Sequence, residues 1–157
     1  MKAQLRRCFI AILVLSSSTA FGATMTHHAT GPFDVKVAPD GQPDTGDGSA
    51  LGRMTLEKTY HGSLDGTGKG TMLTAGSTGT PGSAAYAAVE RFTGTLDGKK
   101  GSFALVHRGT MSAAGQELMI DIVPDTGSGQ LKGIAGSLKI SIAKDGAHTY
   151  DLAYTLP

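Results

Sequence analysis

The sequence predicts an all-β domain, an eight-stranded antiparallel meander that closes into a β-barrel with no significant helix outside an N-terminal signal peptide. Three observations predict it. Glycine supplies 23 of 157 residues, roughly twice its usual share, and each would cost a helix interior about 1 kcal/mol against alanine. Apolar and polar residues alternate with period two along most of the chain after residue 30. Aspartate-glycine pairs punctuate that alternation at Asp65-Gly66 and Asp97-Gly98, where hairpin turns are expected.

Each strand follows from its own alternation. Phe33, Val35 and Val37 share a face over 32–37. Met54, Leu56, Tyr60 and Leu64 do so over 52–64, with Lys58 on that apolar face, where a bulge or a mouth position is expected. A glycine-rich strand over 68–75 carries Met72 and Leu73. Tyr86, Ala88, Glu90, Phe92 and Leu96 align over 84–96, and Phe103, Leu105 and His107 over 101–110. Leu118, Ile120 and Ile122 align over 117–123, and Leu138, Ile140 and Ile142 over 136–143. The last strand, 147–156, places His148, Tyr150, Leu152, Tyr154 and Leu156 on one face. A three-residue loop at Lys144-Asp145-Gly146 then sets Ile140 against Tyr150 and Leu138 against Leu152. Closure into a barrel removes the edge strands; a two-sheet sandwich is the alternative. Residues 60–66 and 92–98 echo each other, which predicts two equivalent corners.

Residues 1–22 read as a signal peptide. Lys2, Arg6 and Arg7 precede the apolar run Phe9–Leu15, and Ala20-Phe21-Gly22 forms a small-x-small cleavage motif, with cleavage after Ala20 as the alternative. Arg6-Arg7 resembles a twin-arginine signal but lacks its flanking residues, so general secretion is favoured. The expected location is periplasmic or secreted, with no membrane attachment after cleavage. Residues 23–29 are expected as a flexible tail and 30–157 as the single barrel domain. Cleavage would remove Cys8, leaving no cysteine, which suits an oxidising compartment. It would also remove three of the 14 Lys and Arg, leaving 11 against 13 Asp and Glu, a net charge of −2. No basic field for nucleic acid remains, and Lys99-Lys100 has no aromatic platform beside it.

Several segments resemble one family. Glu90-Arg91-Phe92-Thr93-Gly94-Thr95-Leu96-Asp97-Gly98-Lys99-Lys100-Gly101-Ser102-Phe103 resembles the signature of the bacterial domain-of-unknown-function family 3224. So do His107-Arg108-Gly109, Val123-Pro124 with the stretch from Gly127 to Gly136, and the closing Tyr150–Pro157. The resemblance covers nearly all of 30–157. It implies an eight-stranded barrel of the allene-oxide-cyclase-like type and no settled activity.

Chemistry is expected where polar side chains break the apolar lumen. Glu90 and His107 both lie on inward faces. If Asp97 pairs with Lys100 they are directly opposite; if Asp97-Gly98 is a two-residue turn, Glu90 faces Leu105 and His107 is diagonal. A lumenal carboxylate is costly unless paired, and a Glu–His pair can serve as a general acid or base. The connections 38–51, 76–83, 111–116 and 144–146 fall at one end, which marks a mouth. Tyr86, His148 and Tyr150 start their strands there, over Phe103, Ile140 and Leu152 as an apolar floor, the mixture a small-molecule pocket needs. The leading expectation is a site for a small, largely apolar molecule. The alternatives are an isomerase or cyclase using Glu90 and His107, or a filled barrel that self-associates as a homo-oligomer through outward Met119 and Val123. No cofactor is expected. No metal is expected either: Asp40, Asp44 and Asp47 lack the spacing of a calcium loop, and His27-His28 stand alone in the tail.

Overall fold

The computed structural model describes residues 24–157; the signal peptide expected over 1–22 lies outside them. The chain forms ten strands: β1 (His27–Pro39), β2 (Asp44–Gly46), β3 (Ser49–Tyr60), β4 (Leu64–Ser77), β5 (Ala84–Leu96), β6 (Lys99–Ser112), β7 (Gly115–Ile122), β8 (Ser128–Gly129), β9 (Ala135–Ile142) and β10 (His148–Thr155). Eight of them run in the order β1-β10-β9-β7-β6-β5-β4-β3, and β3 pairs back onto β1. The result is the closed antiparallel barrel the alternation predicts, with no helix among the described residues.

Closure depends on one strand changing partners. β1 pairs with β10 from His27 to Phe33 and with β3 from Phe33 to Pro39. It therefore begins at His27, inside the segment expected as a tail, and Ala29 is fully buried. The local sequence shows only polar residues and small ones there, so nothing short of the partner strand marks the start.

The hairpin at Asp97-Gly98 forms as expected. Both residues take positive φ, as a tight two-residue hairpin turn requires. Leu96 pairs with Lys99, so Glu90 faces Leu105, and His107 faces Ala88. The β9–β10 register also matches expectation, with Ile140 on Tyr150 and Leu138 on Leu152. Asp65-Gly66 is different. It lies within β4, paired to Thr95 and Gly94, and the turn is His61–Ser63, with Gly62 at φ 93°. Tertiary contacts decide this. The amides of His61 and Ser63 donate to the carbonyls of Pro32 and Thr30, and the Asp97 amide donates to Ser63. The two echoing segments are thus unequal corners.

The connections β1–β3, β4–β5, β6–β7 and β9–β10 lie at the mouth, and the turns β3–β4 and β5–β6 lie at the closed end. The 38–51 connection also carries the short β2 hairpin onto β3. The segment between β7 and β9 crosses the closed end and buries its own Leu131 and Ile134 there. Phe92, Phe103, Leu64, Leu96, Leu138 and Leu152 complete that packed end. One seam in the wall is thin: β7 and β9 share a single bridge, Asp121 to Ser137. Amide exchange is expected to be faster in β7 and β9 than in the β3–β4–β5–β6 wall, because a ladder of one bridge opens at little cost. Equal protection across all strands, measured by hydrogen exchange, would contradict that.

Candidate functional site

At mid-height the lumen holds a buried charged cluster. Lys58 projects inward from β3, Glu90 from β5 and His107 from β6, at 6%, 2% and 4% exposure. The Lys58 ammonium donates to Glu90 Oε2 at 2.8 Å and to the Tyr60 hydroxyl at 3.2 Å. The Tyr60 hydroxyl donates to Glu90 Oε1 at 2.8 Å. His107 Nε2 lies 3.1 Å from Glu90 Oε2 but outside hydrogen-bond geometry, which leaves that buried nitrogen without a hydrogen-bond partner. Lys58 also sits 5.2 Å from the centre of the Phe33 ring, a favourable place for a desolvated cation.

The electrostatics follow from these contacts. Burial alone would raise the Glu90 carboxyl, but the adjacent His107 ring and Lys58 ammonium outweigh it and hold the group below the usual carboxylate range. Burial, then the Glu90 charge, pushes the Tyr60 hydroxyl far up, so it stays a neutral donor. Lys58 needs no bulge: β3 pairs without a break to β4 from Ser49 to Tyr60.

Glycine makes room for the cluster. The inward positions of β4 between Leu64 and Met72 are Gly66, Gly68 and Gly70, and Gly68 pairs with Lys58 while Gly70 pairs with Glu90. A Cβ on Gly68 would collide with Glu90 Oε1 and crowd the Tyr60 ring. Side chains from the flanking strands occupy the space that β4 leaves empty.

Above the cluster, toward the long connections, a cavity of about 360 Å³ opens. Val37, Leu56, Met72, Leu118 and Ile142 form its upper wall, with Ala88 and Val35 lower down and Lys58 and His107 at the floor. Of the site residues expected from sequence, Tyr86, His107, Ile140 and His148 line it. Glu90 lies beneath the floor. Phe103 and Leu152 belong to the packed closed end rather than the cavity floor, because the layer of Lys58, Tyr60 and Glu90 intervenes. Lys58 and Tyr60 complete the buried cluster and are missing from the site expected from sequence.

Tyr150 points away from the mouth. Its hydroxyl accepts from the Leu64 amide at 2.7 Å and donates to the His61 carbonyl at 2.9 Å, clamping the His61–Ser63 turn. Burial raises its hydroxyl above the ordinary tyrosine value. Tyr150→Phe is therefore expected to cost about 1–3 kcal/mol, the penalty for stranding a buried amide, without weakening cavity binding. Urea unfolding measures the first and probe titration the second.

A barrel packed at one end, with an apolar cavity over a buried charged floor at the other, is a small lumenal-cavity β-barrel. Within that class, the family model described as protein of unknown function (DUF3224) matches residues 29–154, and the chain belongs to that family. It is similar to the crystal structure of a DUF3224-family protein with unknown function from Shewanella oneidensis MR-1, at 40% identity and a TM-score of 0.78, covering 85% of this chain and 99% of that one. No curated protein matches the chain.

Proposed function

We propose that this chain is an exported binding protein that holds one small, largely apolar molecule in the barrel mouth. The observation that carries the reading is the cavity itself. Its volume of about 360 Å³ lies in the range of small-molecule sites, and an apolar wall with few polar groups is their usual chemistry. Glu90 serves as the counter-ion that makes an internal Lys58 tolerable, and both its oxygens are engaged by Lys58 and Tyr60. Binding is favoured over turnover because Glu90 is screened from the cavity and its carboxyl is held low, which makes it a weak base at neutral pH.

The test is a titration with the neutral fluorophore N-phenyl-1-naphthylamine. Saturation at one probe per chain, with the blue shift of an apolar environment, is the expected result. Absence of saturable binding would refute the reading.

Export rests on the N-terminal pattern. The full chain, produced in a Gram-negative host, is expected in the periplasm with Ala23 as its first residue. Cleavage there leaves β1 whole, since pairing begins at His27. Mass measurement of the periplasmic protein checks this, and an uncleaved chain in the cytoplasm would contradict it.

A further inference from the structure

Resting on the binding reading above, we propose that the cavity takes its ligand with an oxygen acceptor leading, a carbonyl or a carboxylate seated on Lys58 beside His107. The floor offers a spare donor on Lys58, beside a His107 ring that donates at one nitrogen and, when neutral, accepts at the other. An ammonium has three N–H groups, and Lys58 uses two of them, on Glu90 and Tyr60. The third makes no hydrogen bond among the described residues. His107 borders the cavity beside it, with its Nε2 turned to Glu90 Oε2 at 3.1 Å. The floor's oxygen acceptors are engaged elsewhere: the Glu90 side chain has no exposed surface, and the Tyr60 hydroxyl already accepts from Lys58. The polar groups nearer the rim are the Thr74 and Tyr86 hydroxyls and the His148 ring, which suit either role.

The consequences for a ligand follow. An acceptor entering head first gains a charge-assisted hydrogen bond from Lys58 in a dry setting, where such bonds are strongest. A ligand headed by an ammonium would bring a second cation against Lys58. The apolar wall above the floor takes the body of the molecule in either case. Carbonyl and carboxylate share this chemistry, so both are assayed.

The experiment is displacement of bound N-phenyl-1-naphthylamine by three decyl compounds that differ at the head: decanoate, 2-decanone and decylamine. Decanoate or 2-decanone, or both, is expected to displace the probe at about tenfold lower concentration than decylamine, the ratio one charge-assisted bond supplies. Whichever of the two ranks first identifies the source of the acceptor. In Lys58→Met/Glu90→Gln, which keeps the barrel electrically balanced, the preference, read relative to that variant's own probe affinity, is expected to narrow. Equal or reversed displacement by the intact chain would overturn the proposal, as would an unchanged preference in the double variant. If the probe binds and no decyl compound displaces it, the head-group proposal fails and the binding reading stands. If the probe itself does not bind, the binding reading fails and takes the proposal with it.

Discussion

Lys58→Met is expected to destabilise the barrel by about 3–5 kcal/mol, the cost of leaving one member of a buried ion pair uncompensated. Glu90 would keep its burial and lose the ammonium 2.8 Å away. Adding Glu90→Gln to that variant is expected to restore most of the loss. Glutamine retains an acceptor for the Tyr60 hydroxyl, and a neutral pair carries no buried charge. The non-additivity is the diagnostic quantity, because residues in direct contact couple. The pH dependence has a definite sign. Glu90 has a lowered folded value, so the unfolded chain binds more protons between the folded value and about 4.3. Its contribution is fully present above about pH 5 and is lost as the pH falls through the folded value. Acid sensitivity in that window is expected in the wild type and should be reduced in the double variant. Urea unfolding at several pH values measures both effects. A double variant as unstable as Lys58→Met would show that the pair is not the reason for the loss.

The second large effect is on binding. Ala88→Phe is expected to weaken N-phenyl-1-naphthylamine binding by about a hundredfold, because the new ring occupies the volume the probe needs. Ala88 lies between Met72 on β4 and His107 on β6 and lines the cavity just above the charged floor. A tight fit would cost about 1–3 kcal/mol of stability, so the unfolding curve must accompany the titration. Val89→Phe is the control. The next residue along a strand faces the other way, and Val89 is exposed on the outer wall. It should leave probe affinity unchanged. Loss of binding in both variants, or in neither, would place the probe outside the cavity.

The strand pattern was legible because inward residues alternate without interruption, and the two-residue turn at Asp97-Gly98 carried its own register. The corner at His61–Ser63 was not, because it is held by Tyr150 and by carbonyls of β1 that lie about 30 to 90 residues away. Local turn chemistry at Asp65-Gly66 pointed to the wrong residues, and tertiary contacts prevailed. At the site, alternation alone put Glu90 and His107 on the lumen face. Lys58 was on the same face, yet a lone lysine among apolar residues also fits a bulge or a rim. The signal that separates these cases is the row Gly66, Gly68 and Gly70, two residues apart on the facing positions of β4. A strand that omits three inward side chains in succession leaves space for large ones from its neighbours, and those neighbours carry Lys58, Tyr60 and Glu90. Tyr150 was misplaced for a related reason: residue number fixes its layer and face, but its hydroxyl reaches one layer toward the closed end.

The central claim, that the mouth cavity is a binding site, is tested most directly by mapping backbone and methyl chemical shifts during titration with N-phenyl-1-naphthylamine. Perturbations are expected on Val35, Ala88, His107 and Ile140, which line the cavity, and not on Leu131 and Ile134 at the closed end. Perturbations confined to the outer wall around Leu73 and Val89, with the cavity residues unmoved, would contradict the account.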